Sequence, residues 1–130
     1  MKTGIINLRE CKTNLWNGNE FVTIPIYESV FYKSLVNDDK ESYEAYRTLV
    51  NGTCRWGKVR FGERQVCSYE KFLELYESIK NEGWHRDSYI RLARGTPYII
   101  ADGQHRASIL LHMNFEVKVL KTGRKVQPVI

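Results

Sequence analysis

The sequence predicts a small α+β fold in which about four helices pack on a short mixed β-sheet. Two observations support this prediction. Short β-branched, apolar runs alternate along the chain with amphipathic segments at helical spacing. Of the 130 residues, 42% are hydrophobic and 27% charged, which is enough apolar material to bury a core. This length and composition predict a single domain over residues 1–130, with its core at about 20–120.

The first half of the chain alternates strand and helix signals. The segment Phe21 to Ile26 is β-branched and aromatic, and it follows a turn signal at Asn17 to Asn19. Pro25 favours a sheet edge, because proline cannot donate to a strand ladder. Asn37 to Asp39 is a polar break and helix cap, and Asn51-Gly52 closes the helical run that follows. We therefore predict strands at 4–8 and 20–26, a helix or loop at 27–35 and a helix at 39–50.

The second half contains the clearest helix signal of the chain. Ser68 is a typical N-cap residue, and Glu70 places a negative charge in the first turn, where the helix dipole favours it. Apolar residues then recur at i, i+3, i+4 and i+7. Asn114 ends a second, amphipathic helix. The predicted elements are a helix at 68–82, strands at 88–92 and 98–101, a helix running to about Met113, a strand at 115–120 and a basic tail at 121–130.

Charge and cysteine content narrow the possible partners and location. The formal net charge of +5 suits anionic partners such as nucleotides or nucleic acid. The three cysteines, Cys11, Cys54 and Cys67, are scattered and lack metal-finger spacing. They predict a reducing, cytoplasmic location without a disulfide framework. The apolar pair Ile5-Ile6 is too short for a signal peptide, and no apolar run has membrane-spanning length, so we expect no membrane partner.

The segment Asp102-Gly103-Gln104-His105-Arg106 lies between an apolar strand and a helix. A helix start directs free N–H groups and the positive end of the dipole outward, which favours an anion. Glycine lets the backbone approach a bound group closely, and His105 and Arg106 add donors and charge. The sequence therefore predicts a phosphate site formed by Gly103, Gln104, His105 and Arg106. The alternative is a capped loop in which Asp102 bonds local amides.

The order helix, strand, turn, strand, Asp-Gly-Gln-His-Arg, helix, strand resembles the ParB/sulfiredoxin superfamily over about residues 66–120. Residues 24–29 are similar to the family's entry strand and its acidic residue, and residues 28–49 resemble a ParB-like subgroup found among bacterial surface-polysaccharide genes. The resemblance implies binding of ATP, ADP or CTP with Mg²⁺. It also implies that residues 103–106 contact the phosphates and that Asp102 orients the turn or helps to hold a metal.

The resemblance further implies a chemistry. The free-serine kinase branch uses a glutamate after the entry strand as general base, and Glu28 is the corresponding candidate. Its carboxylate would accept the proton of a small-molecule hydroxyl during phosphoryl transfer, with Asp102 as a second catalytic candidate. Gln104 stands where sulfiredoxins carry a catalytic cysteine, so we do not expect redox repair. The alternative for Glu28 is an exposed surface carboxylate.

Two other functions stay open at this point. A DNA-associated module similar to the partitioning proteins is suggested by the net charge and by the run Arg55 to Arg64, which interleaves cations with aromatic rings. That run also suits a β-hairpin with a solvated cationic face. Residues 121–130 have room only for a tail, whereas partitioning proteins place a helix-turn-helix after this domain. The third possibility is a non-catalytic adaptor. We expect His85 and His112 at the surface or in the core, and Tyr43, Tyr46 and Tyr76 in the core or an interface.

Overall fold

Seven strands form one mixed sheet in the order β1-β6-β7-β4-β5-β2-β3. This computed structural model describes residues 3–54, 66–85, 87–95 and 98–129; the predicted cationic run at 55–64 lies outside them. The pair β2 and β5 is parallel and the other pairs are antiparallel. The strands are β1 (Thr3–Asn7), β2 (Lys12–Trp16), β3 (Phe21–Pro25), β4 (Ile90–Leu92), β5 (Ile99–Asp102), β6 (Lys118–Thr122) and β7 (Lys125–Pro128).

Four α-helices accompany the sheet in the described ranges: α1 (Val30–Asn37), α2 (Lys40–Thr53), α3 (Tyr69–Glu82) and α4 (Gln104–Met113). The α+β class, the mixed sheet and the number of helices are thus confirmed. Side-chain caps begin three of the helices. Ser29, Asp39 and Ser68 each accept a hydrogen bond from the backbone N–H three residues later, which satisfies one of the donors left free at a helix start.

The helices cover one face of the sheet. Alternate strand residues such as Ile90, Val119 and Val126 are fully buried in one apolar cluster with Ala107 and Leu111 of α4. The intervening strand residues are largely exposed, as the alternation of a strand requires. A second apolar cluster joins α1, α2, α3 and α4 and is rich in aromatic rings. Among the described residues, the sheet therefore has one face covered by helices and one open face.

Helix α4 lies between these two clusters. The consecutive residues Ala107 to Leu111 are all buried, whereas the sequence predicts an amphipathic helix with a single apolar face. Ile109 contributes to the helical cluster, and Leu110 and Leu111 contribute to the cluster on the sheet. Ser108, which is also fully buried, interrupts the apolar run. A helix enclosed on both sides loses the simple one-sided pattern of a surface helix.

Two strands are absent from the sequence prediction. β2 pairs with β3 and β5, and β7 pairs with β6 and β4, so both lie inside the sheet order. The expected basic tail is therefore wrong over Lys125–Pro128, which forms an antiparallel pair with β6. Leu8, Cys11 and Val126 are fully buried. Fully buried residues thus lie on both sides of residues 20–120.

The remaining boundaries differ in small ways. The segment predicted as helix or loop at 27–35 consists of the 3₁₀ helix Ile26–Glu28 followed by α1. The strand predicted at 115–120 begins later, at Lys118. None of the helices in the described residues is long and apolar enough to cross a membrane. Cys11 and Cys54 are buried, Cys67 is half-buried, and all three are free thiols.

Candidate phosphate-binding site

The predicted site forms the turn between β5 and α4. Asp102 ends β5 as an exposed residue, and Gly103 is the N-cap of α4. Gly103 adopts a left-handed conformation, with φ of 96° and ψ of 26°, and supplies no side-chain cap. Its carbonyl accepts a hydrogen bond from the N–H of Ala107 at 2.9 Å. The N–H groups of residues 104–106 precede the first intrahelical bond, so they have no acceptor within the helix.

The turn at Gly103 is pressed against β4. A Cβ atom added at Gly103 would lie 3.1 Å from the Cα of Ile90 and 3.3 Å from its Cγ1. The Cα atom belongs to the backbone of a buried strand and cannot move aside easily. Glycine is therefore required here both for the positive φ and for the close approach to the strand.

Arg106 lies in the first turn of α4 and is half-buried. It borders a recess of about 160 Å³ between the end of α3 and the loop that follows it. Ligand pockets that hold a whole small molecule usually measure roughly 300–1,000 Å³. The recess therefore suits part of a ligand, and the rest would lie on the surface beside the helix start. Its other lining residues are Leu75, Ser78, Ile79, Gly83, Trp84, His85 and Ser88.

The side chain of His105 points into the aromatic cluster. Its ring centroid lies 4.4 Å from that of Phe31 and 4.8 Å from that of Phe72. Burial, and secondly the positive charge of Arg106, lowers the pKa of His105 from 6.5 to about 4. The imidazole is therefore neutral at neutral pH and does not add the positive charge predicted from the sequence. The backbone N–H of His105 belongs to the free helix start and is available to an anion.

Tyr43 fixes the orientation of this histidine. The Tyr43 hydroxyl donates to the carbonyl of Cys67 at 2.8 Å and lies 2.9 Å from Nε2 of His105. Because the hydroxyl has one proton and gives it to the carbonyl, Nε2 of His105 must be the protonated ring nitrogen. Burial raises the pKa of Tyr43 far above its ordinary value, which keeps the hydroxyl protonated. Helix α2 thus holds the first turn of α4 through a buried hydrogen bond.

The two predicted catalytic carboxylates differ in their relation to the turn. Asp102 is part of it, and its exposed carboxylate directly precedes the free N–H groups. Glu28 is exposed at the end of the 3₁₀ helix Ile26–Glu28, which lies beside α4. Among the described residues, Glu28 makes no hydrogen bond or ion pair with any residue of the turn. The fold brings residues 102–106 together through local structure and leaves Glu28 unconnected to them.

No group of three or more histidine, cysteine or acidic side chains in the described part of the chain could hold a metal ion. Mg²⁺ bound with a nucleotide uses mainly phosphate oxygens and water, with one or two carboxylates from the protein. The exposed Asp102 beside the helix start fits this smaller requirement.

A larger concavity, of about 570 Å³, lies on the outer side of α3. Four glutamates line it: Glu70, Glu74, Glu77 and Glu82. Its other lining residues are Leu73, Ser78 and Asn81. This negative charge disfavours phosphate groups. Of the two concavities, the recess beside Arg106 is the more suitable for an anion, because it adjoins a cation and the positive end of the α4 dipole.

Several residues around the turn carry no sequence signal for a site. Trp84, His85 and Ser88 border the recess beside Arg106 but follow α3 in an irregular segment. Their grouping with Arg106 depends on the packing of α3 against α4. The partnership of Tyr43 with His105 spans 62 positions, so helical spacing predicts the burial of Tyr43 but not its partner. No protein-family model, curated protein or solved structure matches this chain.

Proposed function

We propose that this chain binds the phosphates of a nucleotide at the start of α4. One observation supports this proposal most strongly. The N-cap of α4 is Gly103, which has no side chain, and the half-buried cation Arg106 follows it beside a small recess. The N–H groups of Gln104, His105 and Arg106 supply donors, and the helix dipole favours negative charge. In this proposal His105 contributes its N–H only, since its ring bonds Tyr43.

We further propose a fold family for this chain and a reaction at this site. A ParB/sulfiredoxin-like fold is supported by the unit α3–β4–β5–turn–α4, which has the expected order. The nucleotide would be ATP, ADP or CTP carried with Mg²⁺, to which Asp102 would contribute one carboxylate oxygen. As a kinase or NTPase, the protein would use Glu28 to accept a proton from a hydroxyl acceptor or from water. Since Glu28 makes no hydrogen bond or ion pair with the turn among the described residues, the substrate would have to lie between them.

Titration calorimetry with ATP, ADP and CTP, each with Mg²⁺, tests the binding step. Wild type should bind at least one of them. Arg106→Ala should weaken binding roughly tenfold to hundredfold, because a hydrogen bond to a charged group contributes about 1.5–3 kcal/mol. The matched control is Arg94→Ala, which removes the same charge from an exposed residue just after β4. Absence of binding to all three nucleotides, or equal losses in both variants, would contradict the proposal.

The catalytic step has a separate test. If Glu28 is the general base, Glu28→Gln should abolish nucleotide turnover while leaving nucleotide affinity within about twofold of wild type. Turnover by Glu28→Gln at the wild-type rate would exclude this role while leaving the phosphate site intact.

A further inference from the structure

We infer that the open face of the sheet is a binding surface for single-stranded nucleic acid. This inference goes beyond the nucleotide site, because the surface lies on strands and does not include the start of α4. It depends on three features of the described residues: the charge of the face, an aromatic ring with two cations against it, and the breadth of the seven-stranded sheet.

The charge of the strands is strongly one-sided. Lys12, Arg91, Lys118 and Lys125 are all exposed. Each of the four adjoins a buried residue of its own strand, and successive side chains of a strand point to opposite faces. The four cations therefore lie on the open face, where Arg91 and Lys125 are direct cross-strand partners. Within the seven described strands the only acidic residue is Asp102, which ends β5 as the cross-strand partner of Arg91. This face therefore carries a net positive charge that suits a polyanion.

Tyr89 lies beside two of these four cations, Arg91 and Lys125. Arg91 and Lys125 are directly paired across β4 and β7. The guanidinium carbon of Arg91 lies 5.5 Å from the Tyr89 ring centroid, and Nζ of Lys125 lies 4.8 Å from it. The Tyr89 hydroxyl also accepts a hydrogen bond from Arg91 at 2.8 Å. If these flexible cationic side chains turn from the ring to the phosphates of a bound strand, the half-buried ring can stack with a base.

The form of the surface selects a single strand over a duplex. The major groove of B-DNA admits a helix or a two-stranded ribbon, and a seven-stranded sheet is too broad to enter it. Unpaired bases can instead lie flat against a sheet and stack on its aromatic residues. Exposed apolar side chains on the same face, Ile5 and Leu120, are cross-strand partners that extend the contact area for bases.

A second copy of this chain is a poorer occupant of the face. Two such faces in symmetric contact would bring four cations of each copy together, and like charges repel most strongly when removed from water. The glutamate-lined concavity on α3 is a complementary surface for a head-to-tail contact. Self-association is therefore the alternative that the experiment must separate from nucleic-acid binding.

Fluorescence anisotropy with a labelled oligothymidylate of about twelve nucleotides provides the test. Neutralising phosphates with four cations predicts a slope of about −3 for log K against log salt, or about a fiftyfold loss of affinity between 50 and 200 mM salt. The double variant Arg91→Glu/Lys125→Glu should lower affinity at least tenfold and reduce the slope to about −1.4. Its matched control, Lys33→Glu/Lys71→Glu, changes exposed lysines on α1 and α3 and should remain within about twofold of wild type.

Two further measurements distinguish base stacking from general attraction to polyanions. Tyr89→Leu should lower oligothymidylate affinity at least fivefold but leave binding to heparin, which has no bases, unchanged. Excess ATP with Mg²⁺ should not displace the oligonucleotide, and Lys125→Glu, which leaves Arg91 in place opposite Asp102, should bind ATP like wild type. The two proposals therefore fail separately.

The inference is overturned by any of four results. These are equal losses in the two double variants, no effect of Tyr89→Leu, tighter binding of duplex than of single strand, and concentration-dependent self-association without oligonucleotide binding. Circular dichroism melting of each variant verifies that a loss of binding is not a loss of folding.

Discussion

Acid should destabilise this protein through His105, and the size of the effect follows from the surroundings of its ring. The ring packs between Phe31 and Phe72, and burial lowers its pKa from 6.5 to about 4. The unfolded chain therefore takes up a proton near pH 6.5, while the folded protein resists protonation until about pH 4. Stability contributed by the neutral ring is complete above pH 6.5 and is lost as the pH falls towards 4.

The expected loss is the shift multiplied by the free energy per pKa unit. A shift from 6.5 to about 4, at about 1.4 kcal/mol per unit, corresponds to about 3.5 kcal/mol, of which about 3 kcal/mol is lost by pH 4, where the folded ring is half protonated. Carboxylates also titrate as the pH approaches 4, so the contribution of His105 must be isolated by a variant. His105→Gln keeps a polar side chain without a titrating ring. The free energy of unfolding of wild type should fall by about 3 kcal/mol more than that of His105→Gln between pH 7 and pH 4.

Urea denaturation at pH 7, 6, 5 and 4 measures these free energies. The control is His112→Gln, which makes the same substitution at a half-buried histidine outside the aromatic cluster around His105. If His105→Gln does not fold, NMR titration of the His105 ring in wild type gives the same information. Parallel pH profiles for wild type and His105→Gln, or a ring pKa near 6.5, would refute the reasoning.

Two other substitutions test the local geometry of the helix starts. Gly103→Ala should lower the free energy of unfolding by about 2–4 kcal/mol, because position 103 combines a positive φ with a close approach to the backbone of Ile90. The control is Gly18→Ala, where φ is 102° but only a flexible leucine side chain lies nearby. This control should lower the free energy of unfolding by about 1–2 kcal/mol. Equal values in urea denaturation would show that contact with Ile90 is unimportant. Ser68→Ala should cost about 1 kcal/mol through loss of the N-cap bond of α3, and Ser68→Asp should retain that stability; a neutral Ser68→Ala would contradict the capping role.

Local signals predicted the elements on either side of the site accurately. Ser68 caps α3 as expected, and Asn114 ends α4 as expected. The turn at Gly103 was predicted from its residues because glycine adopts the positive φ that a tight turn between a strand and a helix requires. These features depend on residues within a few positions of one another, which is the range over which sequence patterns carry information.

Most of the missed features depend on distant partners. β2 and β7 each form a local hairpin, with β3 and β6, and each also pairs with a strand far along the chain, β5 or β4. The burial of α4 on both sides follows from the packing of α1 and α3 against it, which its own sequence does not specify. The His105 side chain has the composition of a phosphate ligand, yet its orientation is set by Tyr43, 62 positions earlier.

The most direct test of the phosphate site is an amide NMR titration of ¹⁵N-labelled protein with ATP and Mg²⁺. The proposal predicts saturable shifts of the Gln104, His105 and Arg106 amides, because their N–H groups would donate to phosphate oxygens. Arg106→Ala should require a higher ATP concentration for the same shifts, while Arg94→Ala should match wild type. Shifts confined to other parts of the chain, or no saturable shift at residues 104–106, would contradict the account.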